Sequence, residues 1–192
     1  MTKENYDYER PFEKTEIHRV LKLIGEHTPL GRKKLAEKMN LGEGRIRTIL
    51  NYLKKQKLAK STQNGHILTE SGEKRLREMS ERILKIDAKT LTVGQKDVAT
   101  IARNTSDKVR LGVEERDEAI KKGAEGATVL IYKDGRFRLP KSTADIPTTL
   151  ESKLRSYFKP NEGDVIIIGT AENYFDAEKG ALAAANRLTE NQ

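Results

Sequence analysis

The chain has 192 residues, including 37 Lys and Arg against 29 Asp and Glu, and carries a formal net charge of +8. It has no cysteine and no run near the roughly 18 apolar residues of a membrane span, which excludes disulfide scaffolds, thiolate metal sites and membrane-spanning helices. The N-terminus is polar and mixed in charge, so we expect a cytoplasmic protein without a secretory signal and without a membrane partner.

The positive charge is confined to the first half of the chain. Residues 1–90 contain 21 Lys and Arg against 13 Asp and Glu, whereas residues 91–192 contain 16 of each. A basic half joined to a neutral half favours a polyanionic partner for the basic half. The alternative is a basic surface that is only solvated.

The first half is predicted to be mainly helical. Apolar spacing predicts helices at residues 12–27, 31–39, 43–57 and 71–86. Asn40 stands where the second helix ends, and Asn tolerates the left-handed conformation that such an end often requires. Asn64 and Gly65, between two short strand-like segments, form the strongest two-residue hairpin signal. The last helix carries an apolar stripe of Leu76, Met79, Ile83 and Ile86.

The pattern changes at residues 87–96, and the second half then alternates between strands and helices. Strands are predicted at 97–103, 127–133, 136–140 and 164–170, and helices at 107–122, 145–158 and 174–188. The order β-α-β-β-α-β-α predicts a small α/β sandwich in which helices pack on a sheet. We therefore expect an α+β protein with one domain at residues 12–90 and another at residues 96–190.

The predicted helix at residues 43–57 has two different sides. At 100° per residue, one side carries the aliphatic residues Ile46, Ile49, Leu50 and Leu53. The opposite side carries Gly44, Thr48, Asn51 and Lys55, with Arg45, Arg47 and Tyr52 at its flanks. The aliphatic side is expected to be buried, which leaves the polar side outward.

An outward side of this kind suits the major groove of double-stranded DNA. Thr and Asn hydrogen-bond base edges, Arg binds guanine or phosphate, and a glycine lets the backbone come close. Gly44 costs about 1 kcal/mol relative to alanine in a helix interior, and close approach would explain it; the alternative is a tight turn between helices. The candidate DNA-binding residues are Arg32, Lys33, Gly44, Arg45, Arg47, Thr48, Asn51, Lys55, Lys60, Asn64 and His66.

The segment LAEKMNLGEGRIRTILNYLKKQKLAK, followed by STQNGHILTESG, resembles a winged helix-turn-helix. More narrowly, LIGEHTPLGRKKLAEKM followed by GRIRTILNYLKKQKLAK is similar to the DNA-binding domain of the central-glycolytic-gene repressor family, of SorC type. The resemblance implies a DNA-binding regulator. The chain departs from the family pattern at two positions, with Asn40 at the turn in place of Gly and Gly42 at the cap in place of Ser or Thr.

The second half resembles a different group. EERDEAIKKGAEGATVLIYKDGRF and GDVIIIGTAENYFDAEKGALAAA are similar to the small C-terminal domain of archaeal winged-helix regulators with no assigned ligand. This likeness implies an accessory domain that senses an effector or forms a dimer, without catalytic residues. The sugar-phosphate domain of the repressor family is much longer than the remaining chain, so its ligand is not carried over.

Two strand ends in the second half are candidate ligand-binding positions, because ligands of open α/β sheets gather at strand ends and helix N-termini. The candidates are Arg103, Asn104, Thr170, Glu172 and Asn173. The alternative is that these are ordinary loop residues. No nucleophile motif, arguable carboxylate pair or His cluster with metal-ligand spacing is present, so we expect no enzyme activity, no catalytic residue, no cofactor and no metal.

The function predicted from the sequence is sequence-specific regulation of transcription by a homodimer on double-stranded DNA, with a small-molecule effector as an option. Two-fold pairing doubles the short half-site that one winged helix recognises. The candidate contacts between copies are the stripe of Leu76, Met79, Ile83 and Ile86 and a small-residue face of Ala177, Gly180, Ala181, Ala184 and Ala185. Alternatively, both faces bury within one chain. The competing functions are a protein-interaction module of a transcription or RNA-processing assembly and a nucleic-acid-associated enzyme.

Overall fold

A computed structural model describes residues 12–190. Within these residues the chain forms seven α-helices and seven β-strands in two compact units, which divide between Ser80 and Glu81. The strands form two sheets, and every neighbouring pair of strands is antiparallel. The fold is therefore of the mixed α+β kind that the sequence predicted.

The first unit contains four helices and a hairpin. Its elements are α1 (Lys14–Glu26), α2 (Arg32–Met39), α3 (Glu43–Lys55), β1 (Ala59–Thr62), β2 (Gly65–Leu68) and α4 (Glu70–Ser80). The first three helices lie within two residues of their predicted ends. Leu30 also pairs with His66 of β2 through two backbone hydrogen bonds of 2.9 and 3.0 Å.

The first three helices bury one side each in a common core. From α1 the core takes Val20, Leu21 and Ile24, from α2 Leu35, Ala36 and Met39, and from α3 Ile46, Ile49, Leu50 and Leu53. Burial of each large aliphatic side chain contributes about 1.5–3 kcal/mol. The four aliphatic residues of α3 therefore determine which side of that helix faces outward.

The turn between α2 and α3 is short. Asn40 ends α2 in the left-handed conformation, with φ 53°, as the sequence predicted. Its N–H donates to the carbonyl of Glu37 at 3.1 Å, and the N–H of Leu41 donates to that of Ala36 at 3.0 Å. Gly42 then precedes α3 in an extended conformation. The three residues 40–42 thus separate the two helices.

The predicted helix at residues 71–86 is wrong in its second half. The helix α4 ends at Ser80, and Ile83–Ile86 forms a strand that pairs with residues 97–100 of the second unit. Leu76 and Met79 pack against the first core, whereas Ile86 is buried in the core of the second unit. The four residues therefore do not form one helical stripe, and the prediction of a single helical face at these positions is wrong.

The second unit has one strand more than the sequence predicted. Its elements are β3 (Ile83–Ile86), β4 (Lys96–Ala102), α5 (Val113–Lys121), β5 (Gly126–Lys133), β6 (Arg136–Arg138), α6 (Thr148–Phe158), β7 (Val165–Ala171) and α7 (Tyr174–Glu190). The strands form one sheet in the order β3-β4-β7-β5-β6. The helix predicted at residues 107–122 begins only at Val113, after a short 3-10 turn at Ser106–Lys108.

The strand β7 lies at the centre of this sheet, and all seven of its residues are buried. Ile166 and Ile168 pack with α6 on one face, whereas Val165 and Ile167 pack with α5 and α7 on the other. Alternation of side chains along a strand produces this division. The sheet is therefore covered by α6 on one face and by α5 and α7 on the other.

The small residues of α7 bring this helix close to its own sheet. Ala177, Ala181 and Ala184 are fully buried within the chain. A Cβ atom on Gly169 of β7 would overlap backbone atoms of Ala177 and Ala181, so the close packing requires glycine there. The expectation that this face contacts a second copy is wrong, because the face packs within one chain.

Candidate nucleic-acid interface

The excess positive charge of the chain is concentrated in residues 31–60, which include α2, α3 and the start of β1. This segment has ten Lys and Arg against two Glu, a net charge equal to the +8 of the whole chain. All ten basic residues are exposed. An exposed cationic surface of this kind attracts polyanions, since binding them releases their counterions.

The two predicted sides of α3 are confirmed. Its aliphatic residues are at most 2% exposed, and the opposite side is solvent-exposed along the whole helix. That outer side consists of Gly44, Thr48, Asn51 and Lys55. No other element of residues 12–80 covers it, so within its own unit it is open to a partner.

The backbone at Gly44 is open as well. A Cβ atom placed there would meet nothing within 4 Å, so packing inside the chain does not require glycine at this position. Gly72 is different, because a Cβ atom there would overlap the carbonyl oxygen of Leu58. The Thr48 hydroxyl donates to the Gly44 carbonyl at 3.0 Å, which leaves the Thr48 methyl group and both oxygen lone pairs for a partner.

One flank of α3 is held against α1. The guanidinium of Arg45 donates two hydrogen bonds to the Glu16 carboxylate, at 2.8 and 2.9 Å, and lies 5.6 Å from the ring centre of Phe12. These hydrogen bonds and the charge of Glu16 raise the pKa of Arg45. The Arg45 guanidinium is therefore held against α1 by Glu16 and does not extend freely into solvent. The sequence alone could not indicate this pairing.

The other flank of α3 carries a second ion pair and free cations. Arg32 at the start of α2 pairs with Glu43 at 3.0 Å, and both side chains are 47% exposed. Arg47 on this flank is exposed and has no partner among residues 12–190, and the same holds for Lys33 on α2 and Lys55 on the outer side of α3. These three cations are thus available to an anionic ligand.

The hairpin that follows α3 turns one residue earlier than predicted. Thr62 pairs with Gly65, so the turn residues are Gln63 and Asn64, both exposed. Gly65 has φ 140°, and a Cβ atom there would overlap the backbone of Leu30. Glycine is required at this position because the Leu30 backbone lies directly beside it.

His66 and Lys60 lie on opposite faces of the hairpin, since their register positions differ by one residue. Burial lowers the pKa of His66, and the positive charges of Lys54 and Arg32 lower it further. Lys54 is therefore a further cation near this edge of α3. Lys54 is not among the residues predicted from the sequence, although its helical angle places it on the flank that also carries Glu43 and Arg47.

The five ligand candidates of the second unit do not come together. Ala102 pairs with Val165 and Lys96 with Ala171, so the end of β4 and the end of β7 lie at opposite ends of the sheet. Arg103 and Asn104 are thereby separated from Thr170, Glu172 and Asn173. The expectation rested on a rule for parallel sheets, whereas this sheet is antiparallel.

Most of these candidates have structural partners. Arg103 pairs with Asp164 at 2.7 Å, and the Asn104 N–H donates to the same carboxylate at 2.9 Å. The Asn173 side chain accepts two N–H bonds of 3.0 Å at the start of α7. Glu172 is exposed.

Thr170 holds a neighbouring loop, since its hydroxyl accepts the N–H of Gly94 at 2.9 Å. An open cavity of about 450 Å³ adjoins this loop. It is lined by Lys89, Thr92, Val93, Gly94, Gln95 and Lys96. Thr170 is therefore bonded directly to the wall of this cavity, through Gly94.

In the part of the chain that the structure describes, no group of three or more His, Asp or Glu side chains could hold a metal ion. No helix among these residues has both the length and the apolar composition needed to cross a membrane.

Comparison with known proteins gives two family matches. Residues 93–188 match the family described as a domain of unknown function, DUF4443, and residues 17–74 match the family described as the PH0730-like N-terminal domain. No protein of curated function matches the chain. The solved structure of the hypothetical protein PH0730 from the archaeon Pyrococcus horikoshii OT3 is similar, with 27% sequence identity, a TM-score of 0.64, and coverage of 94% of this chain and 95% of that one. Since the first match spans half of the chain, the chain belongs to the DUF4443 family.

Proposed function

We propose that the chain is a sequence-specific, double-stranded-DNA-binding regulator of transcription, and that its first unit is a winged helix-turn-helix domain. Three helices followed by a hairpin, with Leu30 paired to β2 as a third strand position, support this assignment. The three-residue turn between α2 and α3 supports it as well.

The observation that carries the proposal is the outer side of α3. It combines an open backbone at Gly44, exposed polar side chains at Thr48 and Asn51, and free cations at its flank. An α-helix fits the major groove of B-DNA, where an amide side chain such as that of Asn51 binds adenine through two hydrogen bonds. The proposal therefore places α3 in the major groove.

The remaining basic residues are assigned to the phosphate backbone. The first N–H groups of α2 have no acceptor within the helix, and Arg32 and Lys33 stand at that same end. Lys60 is exposed on the hairpin. Contacts of this kind set the register on the duplex without reading its sequence.

The proposal extends to the second unit. We assign the chain a role in binding rather than in catalysis, and we propose that it acts as a homodimer, which matches two-fold DNA sites. If a small-molecule effector acts on it, the open cavity beside Thr170 is the place we assign to that effector.

The test is selection of bound sequences from a random duplex library, followed by affinity measurements on the selected and a scrambled duplex at 50 and 200 mM salt. A regulator should prefer the selected duplex by about a thousandfold or more at the higher salt. Asn51→Ala should reduce that preference, whereas Asn161→Ala, an exposed exchange in the second unit, should not. Equal affinity for both duplexes would refute the proposal and favour a protein-interaction module.

A further inference from the structure

An exposed apolar strip lies on and just before α5, in the second unit. Leu111 is 57% exposed, Val113 42% and Ile120 46%. The opposite side of α5 is buried, with Glu115 and Ala119 fully buried against the rest of the unit. No element within residues 81–190 packs over the strip.

The strip has an ion pair at its middle. Val113 and Ile120 are seven residues apart, so they lie on the same side of the helix. Between them, Arg116 and Asp117 form an ion pair of 3.3 Å, and both side chains are more than half exposed. The order along the helix is thus apolar, positive, negative, apolar.

This order is complementary to itself when reversed. Positions 113 and 120 are equidistant from the point midway between 116 and 117. If a second α5 lies antiparallel across a two-fold axis at that point, Val113 of each copy faces Ile120 of the other, and Arg116 of each faces Asp117 of the other. Two-fold interfaces require this kind of self-complementarity.

We propose that the outer face of α5 is the interface between two copies of this chain, packed antiparallel about an axis between Arg116 and Asp117. This inference rests on the homodimer part of the proposed function and names its surface. Val113 and Ile120 supply apolar contact, and the two ion pairs across the axis fix the register. Other pairings place like charges opposite each other or leave the apolar residues in water.

Charge reversal in the full-length chain tests the proposal. Sedimentation of the unmodified chain should give a mass near twice 21.7 kDa at micromolar concentration. Arg116→Asp places two like-charged pairs at the axis and should raise the dissociation constant of the dimer more than about tenfold. The double variant with Asp117→Arg restores both pairs in reverse and should recover the dimer.

A matched control is Arg75→Asp, which breaks an exposed ion pair with Glu78 on α4 of the first unit and should leave the dimer unchanged. Ile120→Ser should also produce folded monomers, as checked by circular dichroism. A monomeric unmodified chain, or a double variant as weak as the single one, would overturn the proposal. Binding to a DNA half-site is a separate readout, and monomeric variants should retain it, so failure of this interface is distinguishable from failure of the DNA-binding function.

Discussion

Gly44→Ala tests whether glycine at this position is required for folding stability or for DNA affinity. The added methyl group meets nothing within 4 Å, so it should not disturb the packing of the chain. Alanine is favoured over glycine in a helix by about 0.5–1 kcal/mol, so the variant should be as stable as the native chain or slightly more stable. A gain of 1 kcal/mol corresponds to about 4–8 °C in Tm for a unit of the size of the first one, which ends at Ser80.

DNA binding should change in the opposite direction. A methyl group inserted into a close contact costs about 1–3 kcal/mol, and each 1.4 kcal/mol is a tenfold loss of affinity. Thermal unfolding and titration of the selected duplex measure the two effects on one sample. Gly42→Ala adds the same methyl group in open space just before the helix and serves as the control. If Gly44→Ala is stabilised but binds DNA as tightly as the native chain, the reasoning about backbone approach is wrong.

Three further predictions concern the same unit. Asn51→Ala should cost about 1–3 kcal/mol on the selected duplex alone, whereas Lys33→Ala should weaken all duplexes alike and lower the slope of log affinity against log salt by about 0.9, as gel retardation would show. Glu16→Gln should release Arg45 and strengthen binding to scrambled DNA, and unchanged binding would contradict this expectation. The same variant should lower the free energy of unfolding by less than about 1 kcal/mol, because Arg45 is 45% exposed. The pKa of His66 is lower in the folded chain than the usual 6.5, because the folded chain favours the neutral imidazole. The contribution of His66 to the free energy of unfolding is therefore fully present above pH 6.5, and it is lost as the pH falls through the pKa of His66 in the folded chain. Urea unfolding of His66→Gln should lack that decline, and an unchanged pH profile would exclude His66 as its source.

The helices of the first unit could be predicted from sequence because their apolar spacing is regular and long. The strand β3 could not, since Ile83 and Ile86 continue the spacing of Leu76 and Met79, and no Gly or Pro interrupts it. What makes residues 83–86 a strand is pairing with β4, more than ten residues further along the chain. Such long-range pairing overrides local periodicity in a segment of four residues.

The outer side of α3 could be predicted for the same reason, since helical periodicity alone separates buried from exposed positions. The partners of its charged residues could not. Arg45 is bound to Glu16, which lies 29 residues earlier, and only the packing of α1 against α3 brings them together. The candidate ligand site in the second unit was wrong for a similar reason. The direction of β7 relative to β4 cannot be predicted from the sequence of either strand.

The position of β7 has a consequence for how the chain is made. It is inserted between β4 and β5, which are both synthesised before it, and the first unit is complete by Ser80. During synthesis the first unit is therefore free to fold early, whereas the edges of β4 and β5 wait unpaired until residues 165–171 leave the ribosome. A nascent chain that stalls after β6 should contain a protease-resistant first unit followed by two separate strand pairs, β3-β4 and β5-β6, each with an unpaired edge. Limited proteolysis of chains stopped at residue 140 should therefore cleave within residues 81–140 and spare the first unit. Protease resistance of residues 81–140 would show that β4 and β5 had paired with each other instead.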